Sequence, residues 1–147
     1  MKIEASRRLL AAREEVWALL AEPYHLSDWW PGYRAIRPDR RGLAVGARWT
    51  VIRSESPGFL RRPGGEGLIV IESVEPTLAL TWRDLEQSFR AEISLATVDA
   101  QTEARLALDA SWWRLFVEGL RSAPEQALSR LHELCQTADS LAGRDRI

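Results

Sequence analysis

The order of patterns along the chain predicts an α+β domain, with an antiparallel sheet covered on one face by a long C-terminal helix. Three observations carry that reading. Six strand-length segments separated by turn residues fill the stretch from Tyr33 to Ala110. Within the clearest of them, Phe89, Ala91, Ile93 and Leu95 alternate with Arg90, Glu92 and Ser94, the period of a strand with one buried face. From Trp112 to Leu141 the period changes: Trp113, Phe116, Val117, Leu120, Ala127, Leu128, Leu131, Leu134, Cys135 and Ala138 recur at intervals of three and four, one face of a helix.

Taken in order, Lys2 to Leu10 reads as a first strand, with Ile3 and Ala5 or Leu9 inward. Ala11 to Glu22 reads as a helix with Ala12, Val16, Leu19 and Leu20 on one face. Glu14 and Glu15 suit its N-terminus, and Pro23 stops it. A second short helix spans about Tyr24 to Trp30 and ends at Pro31-Gly32. Strands follow at Tyr33–Asp39, Ala47–Ser54, Gly67–Val74, Leu78–Asp84, Ser88–Thr97 and Thr102–Ala110, which makes seven with the first. The loop from Glu55 to Glu66 carries Pro57, Gly58, Pro63, Gly64 and Gly65, too many breakers for regular structure. Pro124 interrupts the last segment without disturbing its apolar phase. One bent helix and two helices sharing a face both fit, and Ser122 with Glu125 would serve as a capping box for a new start.

At 147 residues the chain suits one domain, residues 1–147, able to bury a real core. A net charge of −1 gives no bias toward nucleic acid, and the Arg pairs at 7–8, 40–41 and 61–62 are scattered. No apolar run reaches the roughly 20 residues of a membrane span. Cys135 is the only cysteine, which excludes an internal disulfide. With no signal-peptide pattern after Met1, a soluble cytoplasmic protein is expected.

The order strand, two short helices, six strands and long helix resembles the START-like (SRPBCC) superfamily. Within it the chain looks most like the polyketide cyclase/dehydrase and lipid-transport branch. The matching residues are Ala12-Arg13-Glu14-Glu15-Val16-Trp17, Leu19-Leu20, Pro23, Leu26, Trp29 and Pro31-Gly32. Further matches are Val45-Gly46 and Ile71-Glu72-Ser73-Val74-Glu75-Pro76 leading into Leu80-Thr81-Trp82. The resemblance implies a helix-grip fold, a seven-stranded sheet curved around the C-terminal helix. It also implies an internal cavity for a lipid, sterol, quinone or polyketide, in which some members catalyse cyclisation or dehydration. Pro124 departs from the pattern.

The residues themselves name no reaction. His25 and His132 lack partners at metal-ligand spacing, so no metal is expected. Pro63-Gly64-Gly65-Glu66-Gly67 precedes a strand and has no following Lys, so it is turn chemistry and not a phosphate cradle. No cofactor is expected. Cys135 lies on an apolar stripe, where burial raises a thiol pKa and makes it inert. The seven Trp residues are more informative. Trp49, Val51, Leu80, Trp82, Ala91 and Ile93 from the strands, facing Trp113, Phe116, Val117 and Leu120 from the helix, make either a packed core or an aromatic-lined cavity. In Trp29-Trp30 and Trp112-Trp113, one ring of each pair should pack inward and the other sit nearer solvent. Arg53, Tyr33 and His132 are the candidate polar handles, with Glu72 ambiguous in facing. If its strand continues, Arg53 points inward and needs a partner; past the sheet edge it would instead be solvated. Phe59, in Gly58-Phe59-Leu60, suits a flap over the cavity or a homodimer contact. The expected partner is therefore a small hydrophobic molecule. The alternatives are a polyketide-type cyclase or dehydratase, with Arg53 or Tyr33 polarising a carbonyl and His132 moving a proton, and a protein-interaction module with a filled core.

Overall fold

The structure, a computed structural model, describes residues 1–54 and 65–145, with side chains to residue 137. The expected flap at Phe59 lies outside the described residues. Seven strands form one curved antiparallel sheet in the order β1-β7-β6-β5-β4-β3-β2. They are β1 (Lys2–Leu9), β2 (Tyr33–Arg37), β3 (Arg48–Arg53), β4 (Glu66–Glu75), β5 (Ala79–Asp84), β6 (Phe89–Val98) and β7 (Gln101–Asp109). From β2 to β7 every strand pairs with its successor, with short turns joining β4 to β5, β5 to β6 and β6 to β7. The chain's first strand then adds beside its last. Between β1 and β2 lie helix α1 (Arg13–Ala21), a 3-10 turn (Pro23–His25) and the single-turn helix α2 (Leu26–Trp29). Thr102 Oγ1 donates to the Ala11 carbonyl at 2.8 Å and ties the entry of α1 to β7.

The inward sides of the strands follow the alternation. Trp49 and Val51, Leu80 and Trp82, and Phe89, Ala91, Ile93 and Leu95 are all buried in one core. Leu78 departs from it. It closes the turn after Thr77, whose φ is +64°, and is exposed ahead of the strand. In β4 the facing reverses midway, with Ile69 and Ile71 buried while the next core contact comes from Val74. A register shift between Ile71 and Ser73 causes this, since a bulge adds one residue and flips the side that follows. Glu72 thus lies on the outer face, where it accepts from Arg83 Nε at 2.6 Å and meets Arg90 Nη2 at 3.0 Å. It is not an inward handle.

The C-terminal segment is divided, and the division changes which residues face the sheet. Helix α3 (Trp112–Val117) stops at Gly119, whose φ is +66°. This is the left-handed position after a helix end that glycine takes without strain. A 3-10 turn (Leu120–Ser122) follows, and α4 (Ala123–Asp145) starts afresh with Pro124 in its first turn, where a missing amide costs nothing. Ser122 Oγ accepts from the Gln126 side chain at 3.1 Å. Along α4 the expected stripe holds, with Ala127, Leu128, Leu131 and Cys135 buried and Leu134 packed at the margin. In α3 it does not. Trp113, Phe116 and Val117 are 47%, 72% and 51% exposed, and Leu115 is buried in their place. The left-handed residue resets the helical phase, so a stripe continuous in sequence is not continuous in space.

Both Trp pairs also depart from expectation. Trp112 is exposed with Trp113, because α3 turns its Leu115 side to the core and leaves both rings on the outer side. Trp29 and Trp30 are both buried, because Trp30 caps α2 with extended backbone (φ −87°, ψ 122°) and escapes the helical offset. These two rings fill the space opposite Trp82 that α3 had been expected to fill. α4 lies over β1 and β7 and touches α2.

Candidate functional site

The strand ends nearest α3 carry the densest polar and aromatic chemistry. Tyr33 opens β2, Arg53 closes β3 opposite it, Asp84 closes β5, and Phe89 opens β6 opposite Asp84. Tyr33 is buried, and its hydroxyl donates to Asp84 Oδ2 at 2.7 Å. Asp84 Oδ1 accepts from the backbone amides of Glu86 at 3.0 Å and Gln87 at 2.8 Å. A fully buried carboxylate is thus held by three donors, the satisfaction that such a group requires. Burial still dominates and raises the Asp84 pKa above its ordinary value, against the lowering pull of those bonds and of Arg53. Burial and the neighbouring Asp84 charge raise the Tyr33 phenol well above 10.0.

Arg53 finds the partner that an inward guanidinium needs. Its Nη2 donates to Glu86 Oε1 at 2.5 Å, with the arginine side chain only 19% exposed. Glycines make room for the pair. A Cβ on Gly65 would stand 3.2 Å from Arg53 Nη2, and one on Gly67 would stand 2.9 Å from Glu86 Oε2.

Behind these groups the aromatic rings form one cluster. Trp82 meets Trp29 edge-on at 5.6 Å and Trp30 at 5.3 Å, while Trp30 stacks on Phe89 at 5.5 Å and lies 6.0 Å from Tyr33. Trp49 stands apart in one respect, because its indole donates to the Gly42 carbonyl at 2.9 Å. The indole nitrogens of Trp29, Trp30 and Trp82 are buried without a hydrogen-bond partner. That of Trp82 lies close enough to favour the ionised Tyr33 oxygen but falls short of hydrogen-bond geometry.

A cleft of about 420 Å³ opens at this end of the sheet. Arg83, Leu85, Ser88, Arg90 and Ser111 are among the residues around it, and the buried Asp84 and Phe89 are part of its wall. Gln87 Nε2 donates to Glu118 Oε2 at 3.3 Å, linking the β5–β6 turn to the end of α3.

The structure therefore brings Tyr33, Arg53, Trp82 and the β6 end together. It places Val51, Leu80, Ala91, Ile93, Trp49 and Leu120 in the core, and Trp113, Phe116 and Val117 on the surface. His132 is half-buried on the flank of α4. Asp84 is the residue that the sequence reading missed. The alternation Leu80, Trp82, Asp84 points it inward, but it stands at the last position of the predicted strand, where the alternation no longer decides the facing. Among the described residues, no three His, Cys, Asp or Glu side chains gather to hold a metal ion, and no helix is long and apolar enough to cross a membrane.

No protein-family model and no curated protein sequence matches the chain. Solved structures do share its fold. Protein NE0264 from Nitrosomonas europaea superposes with a TM-score of 0.74 at 18% identity, over 95% of this chain and 97% of that one. Protein Ms6760 from Mycobacterium smegmatis gives 0.73 at 14% identity, over 93% and 92%. DynU16, from the dynemicin biosynthetic locus, gives 0.67 at 18% identity, over 93% of this chain and 48% of its own. What the chain shares with these structures is the fold, a seven-stranded antiparallel sheet with a C-terminal helix.

Proposed function

We propose that the chain binds a small, flat, largely apolar molecule between the sheet and the C-terminal helical segment, entering at the end where β5, β6 and α3 meet. The observation that carries this reading is continuity. The wall of the 420 Å³ cleft includes Phe89, which stacks on Trp30, and Asp84, which bonds Tyr33. A guest in the cleft is thus one side chain away from the aromatic cluster. Ligand sites combine apolar walls with a few placed polar groups; here Phe89 and the rings behind it are the apolar part, while Arg83, Ser88, Arg90, Asp109 and Ser111 make the mouth of the cleft largely polar.

A second reading, a polyketide-type cyclase or dehydratase, is favoured by the Tyr33–Asp84 pair beside Arg53, since a buried phenol and guanidinium can polarise a carbonyl. Against it, the Tyr33 proton already serves Asp84 and Arg53 already serves Glu86. Binding is the simpler reading. The exposed face of α3 supports a third, a contact with another protein or a second copy of this chain.

Native mass spectrometry of the purified protein, with solvent extraction of anything that co-purifies, tests the first reading. A mass increment that disappears on denaturation and reappears in the extract is expected. A clean apo mass, together with no thermal shift from apolar probes, would remove its support.

A further inference from the structure

β1 stands at one edge of the sheet, and among the described residues it pairs with β7 alone. Its eight residues run against β7 without a bulge, from Lys2 opposite Asp109 to Leu9 opposite Thr102. Just ahead of them, Met1 and Ala110 exchange both backbone bonds, at 2.9 and 3.1 Å. Antiparallel pairs alternate between bonded and non-bonded, so Ile3, Ala5, Arg7 and Leu9 also turn their amides and carbonyls toward β7. Lys2, Glu4, Ser6 and Arg8 turn theirs the other way, to the open edge, and all four side chains are exposed. The odd-numbered residues face inward, opposite the buried Leu108, Leu106 and Ala104. Although α4 lies over this strand, Ile3 and Ala5 are only partly buried. A long edge with a half-covered apolar side is a template for one more strand.

We propose that this strand is β1 of a second copy, joined antiparallel about a two-fold axis through Ser6, so that two seven-stranded sheets become one. The residue types single out that register. Pairing must set inner-face residues opposite inner-face residues, and edge-directed amides opposite edge-directed carbonyls. With Ser6 on the axis, Glu4 of each copy faces Arg8 of the other, and Ile3 faces Leu9 on the half-covered inner side. Opposite charges directly across a strand pair are favourable and like charges are not. An axis at Ala5 would set Lys2 against Arg8, and an axis at Arg7 would set that arginine against its own copy. Glu4 meets Lys2 Nζ at 3.4 Å through Oε1, an exposed contact that leaves Oε2 for the arginine. The joined edges gain about six backbone hydrogen bonds. Two strands alone cover less than a standard interface, so a dissociation constant on the order of 10 μM is expected.

Sedimentation velocity of the whole chain, below and above that concentration, should show a reversible monomer–dimer equilibrium. Arg8→Glu sets like charges opposite at both ends of the ladder and should weaken the dimer about tenfold. Adding Glu4→Arg exchanges the signs of the pair and should restore the affinity, which a loss of folding would not allow. Ser6→Pro removes an amide that faces only the open edge, so it should abolish the dimer while the far-UV circular dichroism of the monomer is kept. Amide hydrogen exchange at Glu4, Ser6 and Arg8 should slow as the protein concentration rises. A chain that stays monomeric throughout overturns the proposal. A dimer indifferent to Arg8→Glu overturns it too, and would place the contact elsewhere, as on the exposed face of α3.

Discussion

Replacing Tyr33 with Phe removes one oxygen and leaves the ring that packs on Trp30. The oxygen is 2.7 Å from a carboxylate that is fully buried. A hydrogen bond to a charged group contributes about 1.5–3 kcal/mol. Asp84 keeps its two backbone donors in the variant, so a loss of about 2 kcal/mol is expected at pH 7. For a domain of this size each kcal/mol moves Tm by roughly 2–4 °C, which puts the fall at about 4–8 °C. The pH dependence gives a second check. Asp84 has a folded pKa above its ordinary 3.8, so the stability linked to its proton is fully present below that value and is lost as pH rises through the folded pKa. Tyr33 lowers that pKa, and removing its hydroxyl raises it further. The cost of Tyr33→Phe should therefore be smaller near pH 4 than at pH 7. Urea unfolding followed by far-UV circular dichroism at both pH values measures this. In an Asp84→Asn background the cost should shrink toward that of a neutral hydrogen bond. A neutral or stabilising Tyr33→Phe at pH 7, or a cost that grows as pH falls, would refute the reasoning.

Gly119→Ala should destabilise by about 1 kcal/mol, a purely conformational cost because nothing stands within 4 Å of the added Cβ. Gly119→Asn should cost less, and thermal melts of the two rank them. The Cys135 thiol is pushed up to about 11 by burial, with Glu15 adding to the rise. It should react slowly with a disulfide reagent at pH 8 in the native protein and rapidly in urea. Trp113→Ser combined with Phe116→Ser removes two rings from the outer side of α3 and should change stability by about 1 kcal/mol or less. A loss above 2 kcal/mol in the same unfolding assay would mean that α3 packs inward in solution.

The strands were legible because each buries one face, and a period of two writes that face directly into residue types, as in Phe89, Ala91, Ile93 and Leu95. α4 was legible for the same reason at a period near 3.6. The reading failed where a single backbone angle intervenes. Gly119 in the left-handed region turns α3 over, and nothing in the identities of Trp113, Phe116 and Val117 reveals it. The extended cap at Trp30 likewise buries two adjacent rings that a helical offset would separate. The site was legible in part: of the candidate polar handles, Tyr33 is buried and Arg53 is mostly buried, the latter as the alternation Trp49, Val51, Arg53 allows. Their partners were not legible, because Tyr33 meets Asp84 across 51 residues and Arg53 meets Glu86 across 33. Such pairings are fixed by register, which local periodicity does not encode. The orphaned indoles are a property of packing and had no sequence signal.

The central claim is that the guest enters where β5, β6 and α3 meet. Amide chemical-shift mapping of the 15N-labelled protein during titration with 9-fluorenone tests it most directly. Perturbations concentrated at Asp84–Phe89 and at Ala110 and Ser111 are expected. Saturable shifts confined instead to the outer faces of β1 and β7, at residues such as Glu4 and Arg105, would contradict it.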